Sequence, residues 1–429
     1  MRVLGIIVEY NPFHYGHLYH LRKSIEKISP DYVVAVMSGN FVQRGEPSII
    51  DKFARAEIAL KSGVDIVIEL PLIYSIQDAG GFAIGAVGIL ERFGVITDIV
   101  FGSESAREDV LEKIANITIV YKDQLQKEIR KGMKMGLSFP NARKMALKNL
   151  VKKLSISIDP SIIDIIENSN DILGLEYIRA LNLYNSKIKF SCIKRVGAKY
   201  SDEEFKGRFS SASAVRKMLE LSNYKVLDHL PEISREIIKR EFDSGRGPIF
   251  YENMAPLVLG IMRTMERKDF SKFYGFVEGL DQRFSKFSRQ AANLKELLEL
   301  VKSKRFTFTK LRRLSLYPIF KITEWLIKES NRLGPQYIRV LGFTTKGREL
   351  LAIAKKKSSI PLISTPSLYE KVLLKVLKSK DKPVFLKKDL YIEQFKRDVM
   401  ATNIYSLFYK NPRYKKGERD MRIPVIQML

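Results

Sequence analysis

The chain has 429 residues, 45% of them hydrophobic, with 74 Lys and Arg against 48 Asp and Glu, a formal net charge of +26. That length exceeds one ordinary core, and the composition excludes a disordered chain. One cysteine, Cys192, excludes an internal disulfide and a cysteine-based zinc knuckle.

In chain order, VLGIIV at 3–8, YVVAVM at 32–37, IVIEL at 66–70, DIVFG at 98–102 and IKFSCI at 188–193 read as buried strands. HLYHLRKSIEKI, DKFARAEIALKSG (closed by Gly63) and GGFAIGAVGILERFG read as helices between the first four. This alternation predicts a Rossmann-like parallel α/β sheet, with ligands at the carboxyl ends of its strands. Residues 105–160 are helical and basic and read as an insertion. From about 212 onward SAVRKMLEL, SREIIKREFD, APLVLGIMRTME and NLKELLELVKSKR are helical. YIRVLGF and SSIPLIS suggest a small further α/β element, and the tail YKNPRYKKGERDMRIPV is expected to be partly mobile. The expected division is a catalytic unit over 1–220, carrying the 105–160 insertion, and a mainly helical basic region over 221–429. No run of about 18 apolar residues spans a bilayer, and MRVLGIIVEYNPFH lacks a signal cleavage site. A cytoplasmic location is therefore expected, with no membrane contact and no protein partner evident.

Charge is unevenly placed. Residues 1–150 hold 19 Lys/Arg against 17 Asp/Glu, whereas residues 281–429 hold 34 against 13. Such asymmetry is the footprint of a nucleic-acid binder. The competing reading, a lysine-rich thermophile-type surface, predicts balanced signs instead.

Three of the four histidines, His14, His17 and His20, fall in VEYNPFHYGHLYH at the end of strand one. A metal site lacks HExxH spacing and cysteine partners. Histidines merely packed at a strand–helix turn remain the plain alternative. A phosphate site fits the pattern better. Gly16 permits close backbone approach, the helix start favours an anion, and two imidazoles donate hydrogen bonds without permanent charge. Such a turn stabilises charge building at an α-phosphate during in-line attack.

The tetrad His14-Tyr15-Gly16-His17 resembles the HxGH motif of the nucleotidyltransferase superfamily, which shares its fold with class I aminoacyl-tRNA synthetases. FSSASAVRK at 209–217 resembles its second, serine-rich motif, which would bring Ser210, Ser211, Ser213 and Arg216 to the nucleotide phosphates. A plain helix N-cap is compatible with that role. GIIVEYNPFHYGHLYHL, MSGNFVQRGEPSIIDKFARAEIAL, DIVIELP, FGSES, SNDILGLEYIRAL, IKRVGAKY, YIRVLGF and ATNIYSL resemble, in order, the bacterial tRNA(Met) cytidine acetate ligase family.

That resemblance implies an ATP-dependent ligase. Acetate attacks the α-phosphate of ATP, pyrophosphate leaves, and acetyl-adenylate acetylates N4 of the wobble cytidine of elongator methionine tRNA. It also implies Mg²⁺ accompanying the nucleotide, His14 and His17 as catalytic groups, and an ATP site along Ile7, Val8, Glu9, Tyr10, Asn11, Pro12, Phe13, His14, Tyr15, Gly16, His17, Leu18, Tyr19 and His20. Gly102, Asn170 and Arg195 would complete the site, with a helix cap as the alternative for Asn170. Tyr15 stands where the family turn usually has Asn, and Ala212 and Val215 depart from the serine motif. The competing classes are a small-molecule nucleotidyltransferase releasing pyrophosphate and a non-catalytic RNA-binding protein.

Elsewhere the residues alone leave choices open. Asn40, Gln43 and Arg44 of SGNFVQRGEP either read substrate or merely form a turn, and Lys52 and Arg55 face either phosphate or solvent. KSKRFTFTKLRR at 302–313 interleaves Lys302, Lys304, Arg305, Lys310, Arg312 and Arg313 with Phe306 and Phe308, a candidate tRNA-binding stretch whose two rings are expected in the core.

Overall fold

A computed structural model describes residues 1–153, 160–196, 210–379 and 383–428. The five expected strands form β1 (Val3–Val8), β2 (Tyr32–Ser38), β5 (Ile66–Leu70), β6 (Asp98–Ser103) and β7 (Lys189–Lys194). A small antiparallel hairpin, β3 (Phe41–Val42) and β4 (Glu46–Pro47), follows β2. The five strands lie parallel in the order β5-β2-β1-β6-β7. The Val/Ile-rich runs of β1, β2, β5 and β6 are buried on both faces, as helix-covered parallel strands must be, while β7 at the edge is partly exposed. Strand order reverses at β1, so the crevice at its carboxyl end, between β1 and β6, is the expected ligand position.

Helices α1 (Tyr15–Ile28), α2 (Lys52–Lys61) and α4 (Ala79–Phe93) connect these strands, with a short α3 (Leu72–Ser75) after β5. The insertion contributes α5 (Glu108–Val120), α6 (Lys122–Lys134) and α7 (Phe139–Lys153); α8 (Ser169–Leu183) then leads into β7. Two apolar cores form. The larger unites Val34, Phe82, Leu147 and the helical region after 250, and the smaller packs α1, α2, α9 (Ala212–Glu220) and α10 (Glu232–Asp243) against Leu4, Ile6 and Met37.

The YIRVLGF stretch is not a separate element. It forms β8 (Ile338–Thr344), antiparallel beside β5 in the same sheet, and carries the two-residue strand β9 (Leu362–Ile363) and β10 (Ile426–Met428). The tail expected to be mobile is thus tied down by β10 and by the buried Asp420. Asp420 belongs to a closed ion network. Lys52 Nζ lies 2.7 Å from Glu69 and 2.9 Å from Asp420, while Arg339 lies 3.0 Å from Glu69 and 2.8 Å from Asp420. Lys52 and Arg55, expected toward phosphate or solvent, are both 0% exposed. Arg55 instead donates to the main-chain oxygens of Glu9 (2.6 Å) and Gly39. Neither sequence reading holds, because both cations serve the core beneath the loop after β2.

That loop is fixed from two sides. Asn40 accepts the N–H of Lys52 at 2.8 Å and donates to Thr402 at 3.2 Å; Tyr405 donates to the Ser48 carbonyl at 2.8 Å. Asn40 is therefore a structural residue. At the hairpin tip Gly45 has φ +75°, and a Cβ there would stand 2.6 Å from the main-chain nitrogen of Arg313, so only glycine seats the hairpin on the helix Phe308–Phe320.

Candidate active site

β1 hands the chain to α1 through Glu9–His14. His14 is the N-cap of α1, in extended conformation, and its Nδ1 accepts the N–H of Gly16 at 3.0 Å. His17 reciprocates, its Nδ1 accepting the N–H of His14 at 3.3 Å. This is a capping box built from two imidazoles, where carboxylates or hydroxyls are usual. Because each Nδ1 is an acceptor, the hydrogen-bond pattern assigns each neutral ring its proton on Nε2. The rings stack with centroids 3.8 Å apart. Gly16 is required for this, since a Cβ would meet His14 Cε1 at 2.8 Å; its first service is to the imidazole cap.

All three clustered histidines are kept neutral. Burial lowers the His14 pKa to about 3, helped by Arg195 and Arg216. Burial, then His14 and Arg195, hold His17 well below the ordinary value, and burial beside Arg195 lowers His20 to about 4. Neutral N–H donors next to two guanidiniums suit a polyanion better than a dication, which the guanidiniums would repel.

The second helix start facing this turn is that of α9. Ser211 caps it, accepting the N–H of Ala214 at 3.0 Å, and Ser210 is buried beside it. Arg216 donates to the Asn11 carbonyl at 2.8 Å and to Glu46 Oε1 at 2.7 Å. Arg44 reaches Ser213 at 3.4 Å. On the other flank, Arg195 follows β7, and its guanidinium lies 3.5 Å from Asn170 Oδ1. Asn170 is not the cap of α8, which is Asn168; its amide donates to Glu104 at 2.6 Å. A Cβ on Gly102 would lie 3.4 Å from Arg195 Cγ, so Gly102 borders the same space.

Two adjoining cavities result. One, with ≈ 460 Å³ of empty space, is lined by Glu9, Tyr10, Asn11, His14, His17, the hairpin residues Arg44 and Glu46, and Arg195, Ser211, Ser213 and Arg216. The other, ≈ 400 Å³, is lined by His14, Gly16, Tyr19, His20, Gly102, Arg195, Ser210 and Ser211. His14, Arg195 and Ser211 form the shared wall. Of the remaining residues in 7–20, Ile7, Val8, Phe13 and Leu18 pack into the cores, and Pro12 and Tyr15 line neither cavity. Of the second motif, Phe209 lies outside the described residues, as do residues 197–200 of IKRVGAKY.

Glu46 escaped the sequence reading. It clamps two arginines at once, Arg216 and, at 3.0 Å, Arg312. No local pattern marks it, because both partners come from distant helices. Arg313 donates to the Gln43 carbonyl at 3.2 Å. The stretch 302–313 therefore runs from an exposed end to the cleft rim. Lys304 and Arg305 are exposed, Arg305 pairing with Glu278 at 3.1 Å, and Lys302 and Lys310 lie over Phe308 and Phe306. Phe306 is buried as expected, but Phe308 is 46% exposed. It stands at the first turn of its helix, with Lys302 over its ring. Among the described residues no group of three or more His, Cys, Asp or Glu side chains is placed to hold a metal ion.

Residues 1–420 match the HIGH nucleotidyl transferase family model. The tRNA(Met) cytidine acetate ligase of Thermosipho africanus is 50% identical over 99% of each chain. Its counterpart from Thermotoga maritima is 49% identical over 97% of this chain and 98% of that one. Crystal structures of Thermotoga maritima TmcAL superpose over the full length of both chains, with TM-score 0.95 for the apo form and 0.94 for the form bound with alpha-thio ATP. A histidine capping box on a HIGH-type fold, continuous with these relatives from end to end, means that the chain belongs to the tRNA(Met) cytidine acetate ligase family.

Proposed function

We infer that this chain is an ATP-dependent tRNA(Met) cytidine acetate ligase. The observation that carries the reading, beside the family, is the convergence of two helix starts, two neutral imidazoles and two guanidiniums on one cleft. Such a cleft is built for a triphosphate. The adenosine would occupy the cavity bordered by Gly102 and His20, and the α-phosphate would sit at the shared wall. There His14 and His17 would donate from Nε2 to oxygens that gain charge as acetate attacks and pyrophosphate departs. Arg195 and Arg216 would hold the polyphosphate, and Ser210, Ser211 and Ser213 with the α9 start would supply further donors. Acetyl-adenylate so formed would then be attacked by N4 of the wobble cytidine, a poor nucleophile that needs an activated acyl donor.

The chain supplies no carboxylate cage among its described residues, so Mg²⁺ would arrive on the triphosphate's own oxygens. Residues 1–220 would carry the chemistry and residues 221–429 would grip elongator methionine tRNA. Lys302, Lys304, Arg305 and Lys310 would meet phosphates, and Arg312 and Arg313 would guide the anticodon loop to the cleft. A tRNA substrate fits a cytoplasmic enzyme, and no helix among the described residues is long and apolar enough to cross a membrane. The test is incubation with ATP and labelled acetate, with and without bacterial tRNA. Label in tRNA(Met) is expected. Pyrophosphate release that needs a phosphorylated small molecule instead of acetate would overturn the reading.

A further inference from the structure

The cavity lined by Glu9 and Glu46 holds two carboxylates in unlike settings. Glu46 is clamped by Arg216 at 2.7 Å and Arg312 at 3.0 Å. Its charge is thereby neutralised, and although burial opposes it, those arginines with Arg44 hold its pKa below the ordinary range. Among the described residues Glu9 has no salt bridge. Its Oε1 accepts the N–H of Gln43 at 2.7 Å, and among the described residues its Oε2 accepts no hydrogen bond. The charged groups that face it are Arg44 and Glu46 from the hairpin, Arg216 from α9 and Arg55 from α2. Burial raises its pKa, opposed by the Gln43 N–H, Arg216 and Arg44. Two carboxylates whose surroundings push them apart take different roles: one stays ionised as a fixed anchor, and the other, raised by burial and facing the cavity, is the one suited to take up a proton.

The backbone explains why Glu9 is so well placed. It is the residue directly after β1, its carbonyl is held by Arg55 at 2.6 Å, and Tyr10 beyond it adopts φ +51°. The carboxylate thus projects from a fixed strand end into the cavity, on the side of His14 and His17 away from Gly102.

We propose that Glu9 is the general base of acetyl transfer, receiving on Oε2 the proton shed by the acceptor amine. Resting on the ligase reading, the step balances as follows. The amine nitrogen bonds to the acetyl carbonyl carbon. The bond from that carbon to the adenylate oxygen breaks, and AMP leaves with the electron pair. The nitrogen's proton passes to the Glu9 carboxylate and then to solvent. Glu9 acts in this second half-reaction, whereas acetate activation needs no base, since acetate attacks as an anion.

Glu9→Gln separates this role from a structural one, because the amide oxygen still accepts the Gln43 N–H but takes no proton. Two rates are measured on the full chain: acetate-dependent ATP–pyrophosphate exchange, and single-turnover transfer of labelled acetyl from enzyme-bound acetyl-adenylate to tRNA(Met) between pH 5 and 8. Transfer is expected to fall by about 10² or more, in line with the loss of a positioned base, and by at least about tenfold more than exchange. Wild-type transfer is expected to slow toward acid pH, a limb that Glu9→Asp keeps at reduced rate and Glu9→Gln loses. His14 and His17, held far below their ordinary range, do not titrate in that window. A transfer defect less than tenfold beyond the exchange defect overturns the proposal. Should Glu9→Gln fail to fold, a wild-type transfer rate without an acid limb overturns it equally. Absence of exchange in the wild type strikes the ligase reading itself, and this proposal with it.

Discussion

The protein builds two charge clusters from the same residue types on opposite sides of one loop. Behind the loop, Lys52, Glu69, Arg339 and Asp420 pair two cations with two anions in full burial. In front, Arg44, Arg195 and Arg216 line the cleft and Arg312 stands at its rim, with Glu46 bridging Arg216 and Arg312 and Glu9 on the same cavity. The rear cluster is balanced and holds geometry; among the described residues the front one sets four arginines against two carboxylates around an open cavity. Burial decides which is which: Glu69 near the end of β5 and Glu9 directly after β1 both lie toward carboxyl strand ends, but the rear side chains are almost wholly buried, whereas Glu9, Glu46 and Arg216 line a cavity.

The strongest break in this contrast is at the front. His17→Ala is expected to lower acetate-dependent pyrophosphate exchange by about 10²–10³, as loss of an oxyanion donor does, with the circular dichroism spectrum kept; near-normal exchange would remove the imidazoles from the chemistry. At the rear, Lys52→Met leaves Glu69 and Asp420 short of a cation and is expected to cost about 3–5 kcal/mol in urea unfolding. A cost below about 1 kcal/mol, the range of surface pairs, would show that the rear cluster holds nothing.

Acid sharpens the comparison further. His14, His17 and His20 have depressed folded pKa values, so the unfolded chain binds more protons below its ordinary histidine pKa. Their contribution is full above about pH 6.5 and is lost as pH falls, by up to about 1.4 kcal/mol per pH unit for each ring. His14→Gln should flatten the stability–pH slope between pH 6 and 4 relative to wild type, and an unchanged slope would contradict burial of a neutral ring. The smallest effect is expected at the far end of the basic stretch. Arg305→Glu should weaken tRNA affinity about tenfold and reduce the salt slope by about one, with adenylation losing less than affinity. Arg312→Glu should harm both, because it also strips Glu46 of a partner. Equal behaviour of the two variants would erase the distinction between rim and surface.

Much of this was legible beforehand, and the reasons differ by region. VLGIIV, YVVAVM and IVIEL read as strands because burial on both faces demands unbroken β-branched runs. The strand-to-helix turn at the histidines was legible because strand end, glycine and helix start are adjacent in the chain. Lys52 and Arg55 misled, since their partners are main-chain oxygens, Glu69 and Asp420, which no local pattern links to them. YIRVLGF was a visible strand, but its place beside β5, antiparallel, depends on a pairing across most of the chain. Glu46 was silent for the same reason: a loop glutamate means nothing until two helices bring arginines to it.

The closed cluster also has a bearing on how the enzyme is made. Asp51, which caps α2, and Arg419 stand 368 residues apart in the chain, and Lys52 waits equally long for Asp420. During synthesis the five parallel strands are therefore complete in sequence long before the Lys52–Glu69 pair gains Arg339 and Asp420. A nascent or truncated chain would carry the histidine turn without the anchors that hold its loop. Adenylate-forming capacity would then appear only once the helical half has emerged.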